Sequence, residues 1–390
     1  MTSIPQPDLG NLYPVLQNYQ KTNIYPYSFL SGRWADADAW RAAARAKLLE
    51  VLCYAPKAVP LASKTLSVQK RDGYTSEKIR FDTSEGVQTE GYFLLPDGQG
   101  PFPAVIALHD HGGFYYYGKE KLVDTGQNDP VLKPFSEQYY GGRFWASELA
   151  KHGFAVLCID AFYFGTRRAE FDTMSAALLD ALRPLSLEGL APGSEEYIAM
   201  YNAMGGALEP IMTRHMRYVG MSWAGLLLHD DRKCVDYLQS RPEVDSNRIG
   251  CCGLSVGGFR SVLLAGAEER IKCFVSVGMM STFEQMLSNH GLIHTHMLTV
   301  TGLGDCMDYP DMAALASPSP LLLLLCRRDQ LFTLEGMQNA AQKIESIYTA
   351  QGGKDAFRYE FFDEEHAFTA DMQQRAFAFL AEHLGGGYRQ

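Results

Sequence analysis

Arg248-Ile249-Gly250-Cys251-Cys252-Gly253-Leu254-Ser255-Val256-Gly257-Gly258-Phe259 sets the reading of the whole chain. The run up to Gly253 is apolar and bounded by glycine, as a buried strand is, and from Phe259 the apolar residues fall at helical spacing. Between them stands G-x-S-x-G, a pattern that arises by chance in many chains but in a strand-to-helix setting describes a nucleophile elbow. Its glycines matter sterically, because Ser255 is expected in a strained backbone conformation and a Cβ two residues to either side would collide across so sharp a turn. The Ser255 hydroxyl is thereby raised above the strand ends. The bland alternative is a glycine-rich helix start in which Ser255 merely caps.

From residue 100 onward short aliphatic runs alternate with amphipathic ones, the pattern of parallel strands with crossover helices. Strands are expected over 104–108, 154–159, 248–253, 273–277, 321–326 and 359–362, and helices over 144–151, 229–239, 259–267, 334–348 and 372–383. The strands are almost continuously aliphatic, which suits a sheet covered on both faces. Upstream, 77–82 and 89–95 read as two strands joined through Ser84-Glu85-Gly86, an antiparallel edge of the same sheet. Residues 37–52 read as a helix with Asp36 placed to cap it. The first 35 residues give no element and are expected to wrap over the domain or to meet another subunit. The expected organisation is an N-terminal helical or irregular extension over 1–70 and a catalytic domain over 71–390. Two insertions interrupt the alternation, at about 166–224 and 279–318, each too long for a plain connection and so expected to be functional or partly structured, as a lid is.

A neutral hydroxyl is a poor nucleophile, so a base must take its proton and a carboxylate must hold that base in the right tautomer. Asp329 follows the strand expected at 321–326 and His366 follows the one at 359–362, both just past the carboxyl ends where open α/β sheets place their sites. Rival acids are Asp305, Asp308 and Asp311 in the second insertion and Asp363, Glu364 and Glu365 beside His366. The last three read more simply as a solvated turn, since adjacent carboxylates repel in a dry pocket. Rival bases are His290, His294, His296 and His383.

The developing oxyanion needs donors. The N–H of Val256 is one candidate. The other is expected from His109-Asp110-His111-Gly112-Gly113-Phe114, similar to an HGGG-type loop, with the amides of Gly112, Gly113 and Phe114 all open. His111, Phe114 and Tyr163, at or after strand ends, are expected to line the substrate site. Arg167-Arg168, after the strand at 154–159, is placed to meet a substrate carboxylate but reads more simply as pairing with surface acids. The histidine groups 109–111 and 290–296 read poorly as metal sites, which need three or four convergent ligands.

Lys and Arg total 35 against 45 Asp and Glu, a net charge of −10, which argues against nucleic acid as a partner. The longest aliphatic run, Leu321 to Leu325, is far short of the roughly 20 residues that span a bilayer, and the start does not read as a signal peptide. None of the eight cysteines forms a C-x-x-C pair, and most lie in apolar stretches, as small core residues in a reducing compartment do. The expectation is a cytoplasmic protein without cofactor or metal, acting on a small molecule and not on nucleic acid or membrane, with homo-oligomerisation left open.

With these residues in hand the chain resembles the α/β-hydrolase superfamily, in its dienelactone-hydrolase-like and acetyl-xylan-esterase-like branch of serine hydrolases. Besides the elbow, the resemblance rests on Ser240-Arg241-Pro242-Glu243-Val244-Asp245-Ser246-Asn247-Arg248, on Asp160-Ala161-Phe162-Tyr163-Phe164-Gly165, on Ala316-Ser317-Pro318-Ser319-Pro320 and on His366-Ala367-Phe368. It implies the α/β-hydrolase fold, with a mostly parallel doubly wound sheet, an antiparallel N-terminal edge and helical lid insertions. It also implies a Ser-Asp-His ester hydrolase, the triad falling on Ser255, Asp329 and His366, with acetylated sugars or aryl esters as the expected substrates. Two rivals share the scaffold. A prolyl-oligopeptidase-like peptidase would carry a large N-terminal propeller, which about 70 residues before the first expected strand cannot supply. A catalytically inactive ligand receptor would not need every catalytic position filled.

Overall fold

The computed structural model describes residues 7–386. Nine strands form one sheet: β1 Lys64–Lys70, β2 Tyr74–Ser84, β3 Val87–Pro96, β4 Phe102–Leu108, β5 Ala155–Ile159, β6 Val244–Leu254, β7 Ile271–Val277, β8 Leu321–Cys326 and β9 Phe357–Phe362. Their order is β1-β2-β3-β5-β4-β6-β7-β8-β9. The edge β1-β2-β3 is antiparallel and β3 meets β5 antiparallel, while β5, β4 and β6 to β9 run parallel. This is the doubly wound sheet with an antiparallel N-terminal edge that the sequence pattern predicts.

Both faces are covered, and the pleat sorts the side chains between two cores. In β8, Leu321, Leu323 and Leu325 enter one core while Leu322, Leu324 and Cys326 enter the other. Cys251 and Cys252 likewise part to opposite faces. All the cysteines are free, and each is buried except Cys53.

The helices Tyr13–Lys21 and Leu132–Tyr140 form where no element was expected, and two further departures have identifiable reasons. β1 was not anticipated: every residue in it is exposed, so it carries no buried face to read, and its terminal lysines suit an unpaired sheet edge. It lies within the 1–70 extension, which therefore contributes a strand to the catalytic sheet. The helix expected at 229 begins at Trp223, where the Ser222 hydroxyl accepts the Gly225 N–H at 3.0 Å. Trp223 to Leu228 are all buried, and a helix buried all round loses the spacing that reveals it. The helix Ala37–Leu52 forms as expected, with the Asp36 carboxylate accepting the Ala39 N–H at 2.6 Å.

The first insertion is dominated by the helix Glu195–Tyr218, which buries Ile198, Tyr201, Met204, Leu208 and Met216 along one side. The second holds two short helices, Phe283–Leu287 and Tyr309–Ala314, within irregular chain. The N-terminal segment wraps onto this second insertion. Tyr27 donates its N–H to the Cys306 carbonyl at 2.9 Å, and the Tyr19 hydroxyl reaches Asp305 at 3.0 Å. Among the described residues no helix is long and apolar enough to cross a membrane.

Candidate active site

β6 ends at Leu254 and a helix begins at Val256, leaving Ser255 at the bend with φ 59° and ψ −120°. Its own N–H is tied to the Val277 carbonyl at 2.8 Å, which pins the bend to the neighbouring strand. A Cβ on Gly253 or on Gly257 would run into the Leu108 carbonyl, so the turn can close only with glycine at both. Ser255 is accordingly not a helix cap: its side chain accepts no cap hydrogen bond.

Asp329 lies just past β8 and His366 just past β9, and Nδ1 of His366 meets Oδ2 of Asp329 at 2.7 Å. The Asp329 side chain is wholly buried and its other oxygen accepts the Leu331 N–H at 2.8 Å. With Nδ1 committed, Nε2 is the ring nitrogen left for other work. Ser255 and His366 line the same cavity, of about 220 Å³. Gly278, at φ 55°, lets the backbone run against the imidazole, since a Cβ there would stand 3.1 Å from His366 Cε1. The rival acids are used elsewhere. Asp308 and Asp311 form a capping box on Tyr309–Ala314, Asp311 pairs with Lys343 at 2.6 Å, and Asp363 is exposed. His383 sits in the helix Ala370–Leu384.

The loop after β4 is held from beneath by buried charge. Lys121 Nζ donates to the carbonyls of Asp110 and His111 at 2.8 and 3.1 Å and to the Asp110 carboxylate at 3.2 Å, while Tyr140 donates to the other Asp110 oxygen. Nε2 of His109 accepts the Ala161 N–H at 3.0 Å, so its proton sits on Nδ1, facing the Asp110 carbonyl at 2.8 Å. Burial, with Lys121 and Arg260 nearby, holds this imidazole far below its usual pKa, and it is a neutral strut. Gly112 and Gly113 both have positive φ, 55° and 65°. The Gly113 N–H donates to Nδ1 of His111 at 3.0 Å and the Phe114 N–H to the His111 carbonyl at 3.1 Å. Two of the three candidate amides are therefore engaged within the loop, which corrects the expectation for Gly113. The Gly112 N–H has no protein acceptor among the described residues, and Val256, first in its helix, has none within the helix.

His111, Gly112, Gly113, Ser255, Val256 and His366 all border the cavity, but Phe114 and Tyr163 do not. Phe114 stacks on Tyr117, with centroids 6.0 Å apart, and packs on Phe135. Tyr163 is buried, stacked on Tyr115 and donating its hydroxyl to the Gly205 carbonyl at 2.5 Å. Tyr163 is thus a core residue, while Phe114 is partly buried in an aromatic cluster beside the cavity wall. Arg167 is not a surface residue either: its side chain is 5% exposed and pairs with buried Asp230, while the Arg168 guanidinium lies over the Tyr116 ring at 4.3 Å.

Sequence reasoning missed part of the wall. Met279, Thr295, Leu298 and Phe332 join it, and so does His294, whose ring lies 4.9 Å from that of Phe332. Burial pulls the His294 imidazole down to about 4, so it is neutral at pH 7. Glu209 also went unread; nothing in Ala207-Leu208-Glu209-Pro210 marks it, and only the fold brings it under the loop. Among the described residues no group of three or more His, Cys, Asp or Glu is placed to hold a metal ion.

Residues 215–387 match the prolyl oligopeptidase family, a stretch that contains Ser255, Asp329 and His366. A Bacillus subtilis (strain 168) protein named as a hydrolase, YtaP, is 26% identical over 346 residues, covering 88% of this chain and all of that one. A Bacteroides fragilis protein described as an acetyl xylan esterase superposes with a TM-score of 0.66 at 15% identity, over 90% of this chain and 82% of its own. A glucuronoyl esterase from Solibacter usitatus gives a TM-score of 0.60 at 13% identity, over 93% and 97%.

Proposed function

We propose that this chain, an α/β-hydrolase by its sheet order and its structural likenesses, hydrolyses carboxylic esters through Ser255, His366 and Asp329. The observation that carries the reading is the 2.7 Å contact between His366 Nδ1 and a wholly buried Asp329, on an imidazole that shares one cavity with Ser255. Asp329 holds the proton on Nδ1, so the Nε2 lone pair can take the Ser255 proton as Oγ bonds to the ester carbonyl carbon. The carbonyl π pair moves onto oxygen, where the N–H groups of Val256 and Gly112 receive it. A donor of this kind is worth about 3–4 kcal/mol in the transition state. Collapse of the tetrahedral intermediate breaks the bond to the alkoxide, which leaves as alcohol with the proton from His366. Water then attacks the acyl-enzyme, giving its proton to His366, and the acid departs as the proton returns to Ser255. No cofactor is needed for any step.

The cavity of about 220 Å³ falls below the roughly 300–1,000 Å³ of drug-sized ligand sites, and Leu254, Val256, Met279, Leu298 and Phe332 make much of its wall apolar. A short acyl group fits, acetyl being the expected size. The likeness to a protein named as an acetyl xylan esterase supports an acetylated sugar, with the sugar on the alcohol side, and aryl esters are the alternative. The family match favours a second reading, a peptidase of the prolyl-oligopeptidase kind. A cavity this small speaks against an extended peptide. A panel of p-nitrophenyl esters of rising acyl length, acetylated xylo-oligosaccharides and a prolyl p-nitroanilide separates these readings. Short esters should be cleaved best, the anilide left intact, and Ser255→Ala should abolish turnover without changing the circular dichroism. Preferential anilide cleavage, or an active Ser255→Ala, rejects the ester reading.

A further inference from the structure

Glu209, on the helix Glu195–Tyr218 of the first insertion, places a carboxylate beneath the loop 109–114, where its residue is only 5% exposed. Four groups converge on it. Nε2 of His111 lies 2.5 Å and the Tyr115 hydroxyl 2.8 Å from Oε1, and the Thr295 hydroxyl lies 2.9 Å from both oxygens. The His296 N–H completes the set at 3.2 Å from Oε2. Burial alone would raise the Glu209 pKa, but the hydrogen bonds, led by that from His111, hold it below its usual value, so the carboxylate is ionised at neutral pH.

The same contacts fix a tautomer. Nδ1 of His111 accepts the Gly113 N–H at 3.0 Å and must carry a lone pair, so the ring proton is on Nε2, where Glu209 and the Tyr115 oxygen at 3.0 Å receive it. An imidazolium would set its Nδ1–H against the Gly113 N–H, and the opposite neutral tautomer would set two lone pairs against each other at Glu209. The carboxylate thus orients the imidazole and the imidazole anchors the Gly113 amide between the two positive-φ glycines, beside a Gly112 that lines the cavity with its N–H on no protein acceptor among the described residues. Thr295, which itself lines the cavity, hangs from the same carboxylate.

We propose that Glu209 is a positioning residue for the oxyanion-binding loop, acting through the Nε2-protonated tautomer of His111 and docking both insertions around the site. This rests on the ester-hydrolase reading above. Glu209→Ala should lower kcat for p-nitrophenyl acetate about 10²–10³-fold, the range for loss of one oxyanion donor, with KM changed less than about threefold. Affinity for a trifluoromethyl ketone, whose adduct with Ser255 carries the oxyanion, should fall in parallel with kcat. Glu209→Gln, which can still accept from His111 but opposes the His296 N–H, should recover most of the loss. His111→Ala should cost about as much as Glu209→Ala, and the double variant no more than either, because both changes break one chain of contacts. All rates are taken per active site titrated with a fluorophosphonate, so a variant that merely folds poorly shows fewer sites at unchanged kcat. Unchanged kcat per titrated site in Glu209→Ala, or additive losses in the double variant, overturns the role; if Glu209→Ala does not fold, Glu209→Gln and His111→Ala decide by the same kcat and ketone readouts. Wild-type protein that neither reacts with the fluorophosphonate nor cleaves the acetate overturns the ester reading itself, and this role with it.

Discussion

Ser255 adopts φ 59°, a region that costs a non-glycine residue about 1–3 kcal/mol, and the cost is borne where a hydroxyl must stand clear of the strand ends. The glycines around it, the position of Asp329 and that of His366 were all readable in the sequence, because each is fixed by a strand end or by a tight steric demand. Phe114 and Tyr163 were misread because an aromatic beside a strand end can face substrate or core, and only packing decides. Glu209 had no signal at all, since its meaning lies in contacts with residues about 90 positions away in the chain. At this scale the account predicts that Asp329→Asn leaves the geometry nearly intact, its oxygen keeping the Leu331 N–H and its N–H₂ facing Nδ1, which favours the wrong tautomer. Steady-state kinetics should then show kcat reduced about 10⁴-fold with modest change in KM. A loss under tenfold would place the acid elsewhere.

Among the elements, β8 was legible to the residue because a six-residue aliphatic strand buried on both faces has no competing reading. β1 was illegible for the opposite reason, and the start of the helix Trp223–Ser240 was hidden by burial all round. The loop after β4 lies between these cases: its glycines were visible, but their separate duties were not. A Cβ at Gly112 would overlap the Asp110 carboxylate and the Phe135 ring, whereas at Gly113 it would meet nothing within 4 Å. Gly113→Ala should therefore cost about 1–2 kcal/mol, the cost of a side chain in a left-handed conformation. Gly112→Ala should cost roughly 1–3 kcal/mol more through overpacking, and should lose activity as well. Urea unfolding of the two variants checks the order. Equal destabilisation would mean that the loop adapts around Gly112 and is not held by Asp110 and Phe135.

Over the whole molecule, the sheet brings together residues that the chain keeps far apart, with Ser255 after β6, Asp329 after β8, His366 after β9 and the amide loop after β4. The alternation of strands and helices made that architecture readable. The packing of the insertions and of the N-terminal segment was not, because their apolar residues can satisfy several arrangements until the core beneath them exists. The family match begins at residue 215, so the loop at 109–114 and Glu209 lie outside it, and their assignment rests on geometry alone. The central claim is that these separate segments make one hydroxyl reactive. Mass spectrometry of the intact protein after reaction with a fluorophosphonate, followed by peptide mapping, tests it most directly. The account predicts a single adduct on Ser255, formed in wild type and lost in His366→Ala; no adduct, one on another residue, or labelling undiminished without His366 would contradict it.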